Sequence, residues 1–472
     1  MKRSERNAYW LSMFGQNILY CIISTGLLYY LQNIIFIPVT FIGIVISIAQ
    51  IMDAVKDPVM GLIIDKTKSK YGKCKIYLIW GVPIITVATI LPFLNGTYSN
   101  LNSVNSNILI LTWFFLSYIL WVIAFTLIDI PLWSLASCIT EEKSKRENLL
   151  MGARVAASIA GGLVPLMIVP LSQAVASKLD KTLGNENALK YGTIGIATTL
   201  VIVGIALMIP NNIISKERVL SKKETDLSIK EILKYVFSNE PYIRLLLSGI
   251  IRSPIMILGI AEMTMFSYYF GNNGREPYVF YMIFLGGGYL IGQILSTIIS
   301  PKLLDKLGKR RMYIMVSGFA SVACAFFWVY YKFNATSLIE AYKMIVVLLI
   351  FIFEGSGVGI LNYLQSIMIV DCVDYQERYM GARLDGIFMS GQSLVIKIST
   401  GIATLVMSSC YSMAGFTDIN IQNINELLYN GANFRTDILF APYRDIIFFV
   451  CSIPAAIGLL ISIVPMIKYD IN

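Results

Sequence analysis

The sequence contains no histidine among its 472 residues. That removes the commonest metal ligand and the commonest proton shuttle, so any proton chemistry has to run on carboxylates. The seven cysteines, at 21, 74, 138, 324, 372, 410 and 451, are scattered without a C-x-x-C spacing, which argues against a disulfide framework or a zinc site and for small buried residues. Charge is scarce as well. Only 14% of the residues are charged against 56% hydrophobic ones, and the mean hydropathy is +0.68, too apolar for a soluble domain of this length. The short segments of alternating hydrophobicity that mark a membrane β-barrel do not occur. The first apolar run lacks a small-residue cleavage site and leads straight into a second one, so it is expected to remain as a span and not to act as a signal peptide.

What the chain has instead is long apolar runs. A transmembrane helix needs roughly 20 such residues, and twelve candidates can be read near 9–36, 40–64, 76–95, 108–132, 149–175, 191–214, 243–270, 278–300, 312–332, 344–370, 384–412 and 444–468. An all-α membrane protein is expected. One long polar connection divides the spans six and six, giving an N-terminal bundle over 1–214, a linker over 215–242 and a C-terminal bundle over 243–472. Ile229, Ile232, Leu233 and Val236 recur at helical spacing in the linker, which reads as a cytoplasmic amphipathic helix tethering the halves. Duplication is suggested by the loop after span 2, Gly61-Leu-Ile-Ile-Asp65-Lys with Tyr71-Gly72-Lys-Cys-Lys75. Its counterpart after span 8 is Leu303-Leu-Asp305-Lys-Leu-Gly308-Lys-Arg-Arg311. Two pseudo-symmetric six-helix bundles around a central cavity are the transporter plan built in this way.

The net charge of +9 resembles a nucleic-acid signal until positions are sorted. With the N-terminus inside, loops such as MKRSER, EEKSKREN and KLLDKLGKRR bring the cytoplasmic total to about 25 Lys and Arg, against about 8 outside. The partner is therefore a lipid bilayer and not a nucleic acid, and both termini are expected in the cytoplasm. Lys56, Arg154, Arg244, Arg252 and Lys397 remain in or near the spans. The external loops are polar and mostly short, and no nucleophile with its base is recognisable, so an enzyme is not expected.

Polar residues inside the spans carry the functional argument, because charge in hydrocarbon is costly. Asp53 and Asp57 stand four apart within QIMDAVKDPVMGLIIDKTKSKYGKCK, on one helix face, where a cation between them could be held by both. Lys66, Lys68, Lys70, Lys73 and Lys75 follow as a membrane-edge signal. Lys56 lies next to the pair; it could occupy the place of a sodium ion, snorkel, or point to another helix. In span 4, Asp129 and Trp133 share a face around Pro131, a usual sugar-binding pairing in which the acid accepts from hydroxyls and the indole covers an apolar sugar face. Packing of Trp133 and a helix-to-helix pairing of Asp129 is the plainer alternative. Span 5 opens with Arg154. Span 11 holds Gln392, Ser393 and Lys397, and Lys397 is expected to face Asp53, Asp57 and Asp129 across the central cavity, either in coupling or as a structural ion pair. Glu262 and Glu354 are further acids in apolar segments and weaker candidates.

With these residues in view, the chain resembles the glycoside-pentoside-hexuronide:cation symporters of the major facilitator superfamily, the group that includes the melibiose carriers. The resemblance runs over nearly the whole length. It rests on Asp53-Ala-Val-Lys-Asp57-Pro58 with Gly61, Thr126-Leu-Ile-Asp129-Ile-Pro-Leu-Trp133-Ser, Arg154, Asp371-Cys-Val-Asp374-Tyr375 after span 10, and Gln392-Ser393 to Lys397. It implies that Asp53 and Asp57 ligate the coupling cation with help from Thr126, as metal ligands if the ion is Na+. It also implies that Asp129, Trp133 and Arg154 contact sugar, and that Lys397 is a nearby cation with Gln392 and Ser393 beside it. The chain departs from the melibiose carriers at Gln16-Asn17, where they have a sugar-contacting Lys-Asp pair, and at Asn362, where they have a tryptophan. It departs again at Lys56, where they commonly have a cation-binding amide. By position Asn17 and Asn362 join the substrate candidates, and the lost anion suits a uronate or its glycoside. Lys56 and Asp129 become coupling candidates.

The expected function is cation-coupled symport of a glycoside, pentoside or hexuronide across a bacterial cell membrane, without a cofactor, by a monomer. The coupling ion is Na+, Li+ or H+. A lysolipid or other organic-solute carrier of the same superfamily, or a non-transporting sensor, stands as the alternative.

Overall fold

The structure, a computed structural model, describes residues 2–35, 37, 39–97, 108–140, 142–183, 185–218, 234, 236–272, 278–380, 384–415 and 418–469. Regular structure among them is helical throughout, as the bilayer requires: a spanning segment has no water for its backbone and must satisfy N–H and C=O groups within itself. The helices that carry the twelve apolar windows are α1 (Arg3–Cys21), α2 (Val39–Lys66), α3 (Lys75–Ile90), α4 (Ile108–Ile139), α5 (Lys143–Leu183), α6 (Asn185–Ile214), α7 (Glu240–Ile251), α8 (Gly287–Leu307), α9 (Lys309–Asn334), α10 (Ala341–Met380), α11 (Asp385–Met413) and α12 (Ala441–Ile467). Ten spans among the described residues are long and apolar enough to cross a membrane. An eleventh is added if Glu240–Ile251 and Ser253–Gly259, bent by 46°, count as one. The bend falls where Pro254 lacks the N–H that would continue α7. By length α2 is the remaining member, and among the described residues its stretch Phe41–Gln50 is a shorter apolar helix.

The chain divides into two compact units, Met1–Ile232 with Val373–Leu394, and Leu233–Cys372 with Val395–Asn472. In the first, α1 packs on α5 and α6. The backbones of α1 and α6 approach closely at Gly15, where a Cβ would lie 2.3 Å from the Gly204 carbonyl oxygen. Lipid tails give apolar side chains no reason to prefer one another, so such small-residue contacts supply much of the packing. Tyr9 of α1 donates to the Leu132 carbonyl of α4 at 3.1 Å. The second unit packs around aromatic rings. Tyr331 of α9 stacks on Phe448 of α12 with centroids 4.0 Å apart, and Tyr269 meets the same Phe448 edge-on at 4.9 Å.

Two expectations shift. Asp371 and Asp374 lie inside α10, which continues to Met380, and not after it. There Asp371 pairs with Lys309 within the second unit and Asp374 with Arg146 at 2.5 Å within the first, so polar partners carry the helix beyond its apolar window. The amphipathic helix expected over 215–242 and the loop NGTYSNLNSVNSN fall largely outside the described residues.

Gly15→Val places a branched side chain against the Gly204 backbone. A loss of about 1–3 kcal/mol is expected from overpacking, read as a lowered Tm in detergent, whereas Gly195→Ala, with open space at its Cβ position, leaves Tm unchanged.

Candidate functional site

Within the first unit, α2 supplies Asp53, Lys56 and Asp57, α4 supplies Thr126, Asp129 and Trp133, and the first turns of α11 supply Gln392 and Ser393. Asp53 and Asp57 fall one turn apart on α2, but a cation of the chain's own stands at the first of them. The Lys56 ammonium lies 2.6 Å from Asp53 Oδ1 and 2.6 Å from Thr126 Oγ1, and it also donates to the Val122 carbonyl. The contact with Asp53 is an ion pair, while the Thr126 hydroxyl and the Val122 carbonyl accept hydrogen bonds from the ammonium.

Thr126 thus accepts from Lys56, leaving its own proton to give away. Its hydroxyl lies 3.1 Å from Asp57 Oδ1 and 3.2 Å from the Val122 carbonyl. Asp57, fully buried, also accepts from Ser393 Oγ at 2.8 Å on its other oxygen. The result is a relay from the Lys56 ammonium through the Thr126 hydroxyl to Asp57.

One turn along α4 lies the second group. Gln16 Nε2 donates to Asp129 Oδ1 at 2.9 Å, while Asn17 Nδ2 donates to Gln16 Oε1 and to the Met13 carbonyl, each at 2.8 Å. Asn17 therefore reaches Asp129 through Gln16, the residue that the sequence reading passed over. The signal was there: Gln16 fills one half of the Gln16-Asn17 position. The Arg154 guanidinium of α5 lies over the Trp133 ring, 4.4 Å from its centre, a cation–π contact. A carboxylate, an amide, a guanidinium and an indole face together can accept from hydroxyls, donate to ring or carboxylate oxygens, and cover an apolar sugar face. Gln392 is buried in the same unit.

Asn362 and Lys397 belong to the second unit. There Asn362 accepts from Arg252 at 3.3 Å, and Arg252 also donates to Gln365, so a buried guanidinium is held by two neutral amides. Arg252 stood out in the sequence only as a cation within a span, and Gln365, three residues after Asn362, drew no attention. Lys397 is half-buried on α11. Glu262 lies outside the residues whose side chains are described.

At the C-terminal end of α2, Lys73 pairs with Asp65 at 3.2 Å and with Asp385 at 2.7 Å. Asp65 accepts from the N–H groups of Gly386 and Ile387 at 2.9 and 3.0 Å, capping the start of α11. Burial pulls the Lys73 amine down, but Asp385 and Asp65 outweigh it and hold the amine well above its ordinary value. Glu217 similarly accepts from the backbone N–H groups of Lys73, Cys74 and Lys75, at the start of α3.

Residues 8–472 match the family described as MFS/sugar transport protein. Among curated relatives, the isoprimeverose transporter of Lactiplantibacillus pentosus is 23% identical over 425 residues, covering 90% of this chain and 83% of its own length. The inner membrane symporter YicJ of Escherichia coli strain K12 is 24% identical, over 87% of this chain and 83% of its own. In fold, the chain is similar to FucP, a major facilitator superfamily transporter solved in an outward conformation, with a TM-score of 0.64 over 100% of both chains at 12% identity.

Lys56→Met leaves Asp53 with its carboxylate and without its ammonium. Removing one partner of a largely buried ion pair makes a loss of about 2 kcal/mol the expectation, seen as a lowered Tm, with most of it recovered in Asp53→Asn/Lys56→Met. Equal Tm values for wild type and Lys56→Met would mean that Asp53 is balanced by something else.

Proposed function

The chain belongs to the MFS/sugar transport protein family, and from that premise we propose that it couples transport of a glycoside, pentoside or hexuronide across a cell membrane to a cation gradient. It is a multi-pass membrane transporter and not an enzyme. The observation that carries the reading is the position of two polar groups on one helix. Thr126, joined to Asp57 and Lys56, and Asp129, joined to Gln16, are three residues apart on α4 and so share a face. A change of charge at the first group is then felt at the second within a single rigid element.

In this reading Asp129 and Gln16 bind sugar hydroxyls, with Asn17 positioning Gln16. Trp133 covers the ring, and Arg154 takes a ring oxygen or the carboxylate of a uronide. Asn362, Gln392 and Ser393 complete the sugar and coupling contacts, and Lys397 serves coupling. The bundles 1–214 and 243–472 rock about the linker to alternate access. Sugar and cation tighten each other's binding by the same factor. The protein works as a monomer in a bacterial cell membrane, with both termini in the cytoplasm.

The coupling ion we assign is the proton. Lys56 fills the place beside Asp53 and Thr126 that a metal ion would take, and a covalently fixed ammonium cannot be carried across. In this reading the proton is carried by Asp57, the fully buried carboxylate of the group. Sodium is the second reading, favoured by the Asp53, Asp57 and Thr126 constellation itself.

Uptake into vesicles separates the two. Accumulation is expected to persist in sodium-free buffer and to collapse with an uncoupler; loss only when Na+ is withdrawn would overturn the proton assignment. Lys56→Asn is expected to gain Na+ stimulation on the order of tenfold, the equivalent of about 1.4 kcal/mol of differential binding. For the sugar group, Asp129→Asn is expected to lower sugar uptake by about a hundredfold, since a half-buried charged acceptor of this kind contributes about 2–3 kcal/mol. Unchanged uptake by that variant across a panel of glycosides and uronides would remove Asp129 from the binding site.

A further inference from the structure

Glu354 of α10, in the second unit, is 3% exposed, and neither of its carboxyl oxygens has a hydrogen-bond partner among the described residues. The packing around it is tight. It is followed by Gly355-Ser-Gly357-Val-Gly359, and these glycines let α8 and α9 close onto α10. A Cβ at Gly355 would lie 2.0 Å from the Tyr289 carbonyl oxygen of α8, and one at Gly357 would lie 2.5 Å from Ala320 Cβ of α9. Phe319 and Phe327 of α9 pack edge-on against Phe353 and Phe351 of α10.

The titratable groups on the helices packed against this stretch, besides the charged residues, are the Cys324 thiol of α9, which lies beside the carboxyl group, Tyr313, Tyr330 and Tyr331 of α9, and Tyr289 of α8. A thiol is a weak donor. The charged residues of α8 are Lys302, Asp305 and Lys306, near its end, and those of α9 are Lys309, Arg310 and Arg311 at its start and Lys332 near its end. Arg311 and Lys332 are thirteen and eight residues from Cys324, about 20 and 12 Å along a helix. No ion pair involving Glu354 forms among the described residues.

A carboxylate in such surroundings is untenable. Burying an ion without a partner costs several kcal/mol or more, whereas the neutral acid gives up only weak hydrogen bonds. A leucine or glutamine at 354 would fill the same space without that liability, so an ionisable residue here is a sign of use.

We propose that Glu354 is a proton-binding site of the second unit, neutral while α8, α9 and α10 are packed as here, and able to release its proton when water reaches it. The step is simple: the O–H bond of the acid breaks, the proton passes to water, and the carboxylate that remains is hydrated. The site is distinct from the aspartates of the first unit, and its existence does not depend on the sugar-transport reading. A transport cycle in which α10 is alternately sealed and wetted would move this proton along with any bound at Asp57.

Infrared spectroscopy of the purified full-length protein at neutral pH tests the assignment. The carbonyl band of a protonated carboxylic acid, recognised by its shift in D2O, is expected in wild type, in Asp57→Asn and in Asp129→Asn, and is expected to lose the Glu354 component in Glu354→Gln. A band that Glu354→Gln leaves unaltered would show that Glu354 is ionised and overturn the proposal. Because glutamine imitates the neutral acid, Glu354→Gln is also expected to keep a wild-type Tm, and a marked fall in Tm would mean that the fold needs the anion. Neither measurement involves sugar, so a failure here is separable from a failure of the transport reading.

Discussion

A charge placed in hydrocarbon has to be matched by another charge, surrounded by dipoles, or neutralised by a proton, and the polar part of this protein is organised by that requirement. The first two solutions are present among the described residues. Lys56 is matched by Asp53 and by the oxygens of Thr126 and Val122. Lys73 is matched twice over, by Asp65 and Asp385. Arg252 is held by the amides of Asn362 and Gln365. Asp57 is held by two hydroxyls. These groups form few and specific links between helices, whereas the surrounding apolar packing has little directional preference.

Such links also explain why α4 matters more than its length would suggest. Its inward face carries Val122, Thr126, Asp129 and Trp133 at helical spacing, so the lysine contact, the aspartate contact, the amide contact and the guanidinium contact are arranged along one rod. An element that carries all four of these contacts transmits a rearrangement at one of them without needing a flexible path. Pro131 lies between Asp129 and Trp133 inside this helix and removes one backbone hydrogen bond where the two groups meet.

Length and hydropathy made the helical architecture legible, because a bilayer forces a spanning segment to be apolar for a fixed distance. The windows failed only where that rule is relaxed. At α10 the helix continues past its apolar stretch through Asp371 and Asp374, since paired carboxylates are tolerated at a helix end. Spacing along the chain also identified Asp53 and Asp57 as neighbours, and the resemblance added Thr126. Where the Lys56 side chain goes was not legible, because a four-carbon stem can reach several helices and only the facing oxygens decide among them. Gln16 was missed for a related reason. An amide carries no charge anomaly in a sequence and becomes conspicuous only when it is seen on Asp129.

The presence of a lysine in this aspartate group bears on the choice of ion through coordination as much as through charge. A hard metal cation must collect several oxygen ligands to replace its hydration shell. Here Asp53, the Thr126 hydroxyl and the Val122 carbonyl are engaged by the ammonium, and both Asp57 oxygens already accept from the hydroxyls of Thr126 and Ser393. A proton needs a single oxygen. Electrostatics points the same way: two carboxylates without the lysine would attract a monovalent cation twice over, and a third charge about 4 Å away changes such an attraction by about 4 kcal/mol at the effective dielectric of a protein. In the proposed reading the ammonium thus weakens the site for a metal in both respects and leaves Asp57, fully buried, as the group that a proton would occupy. Retaining two acids beside a fixed cation makes physical sense for a site that is charged in one state of the cycle and neutral in the other.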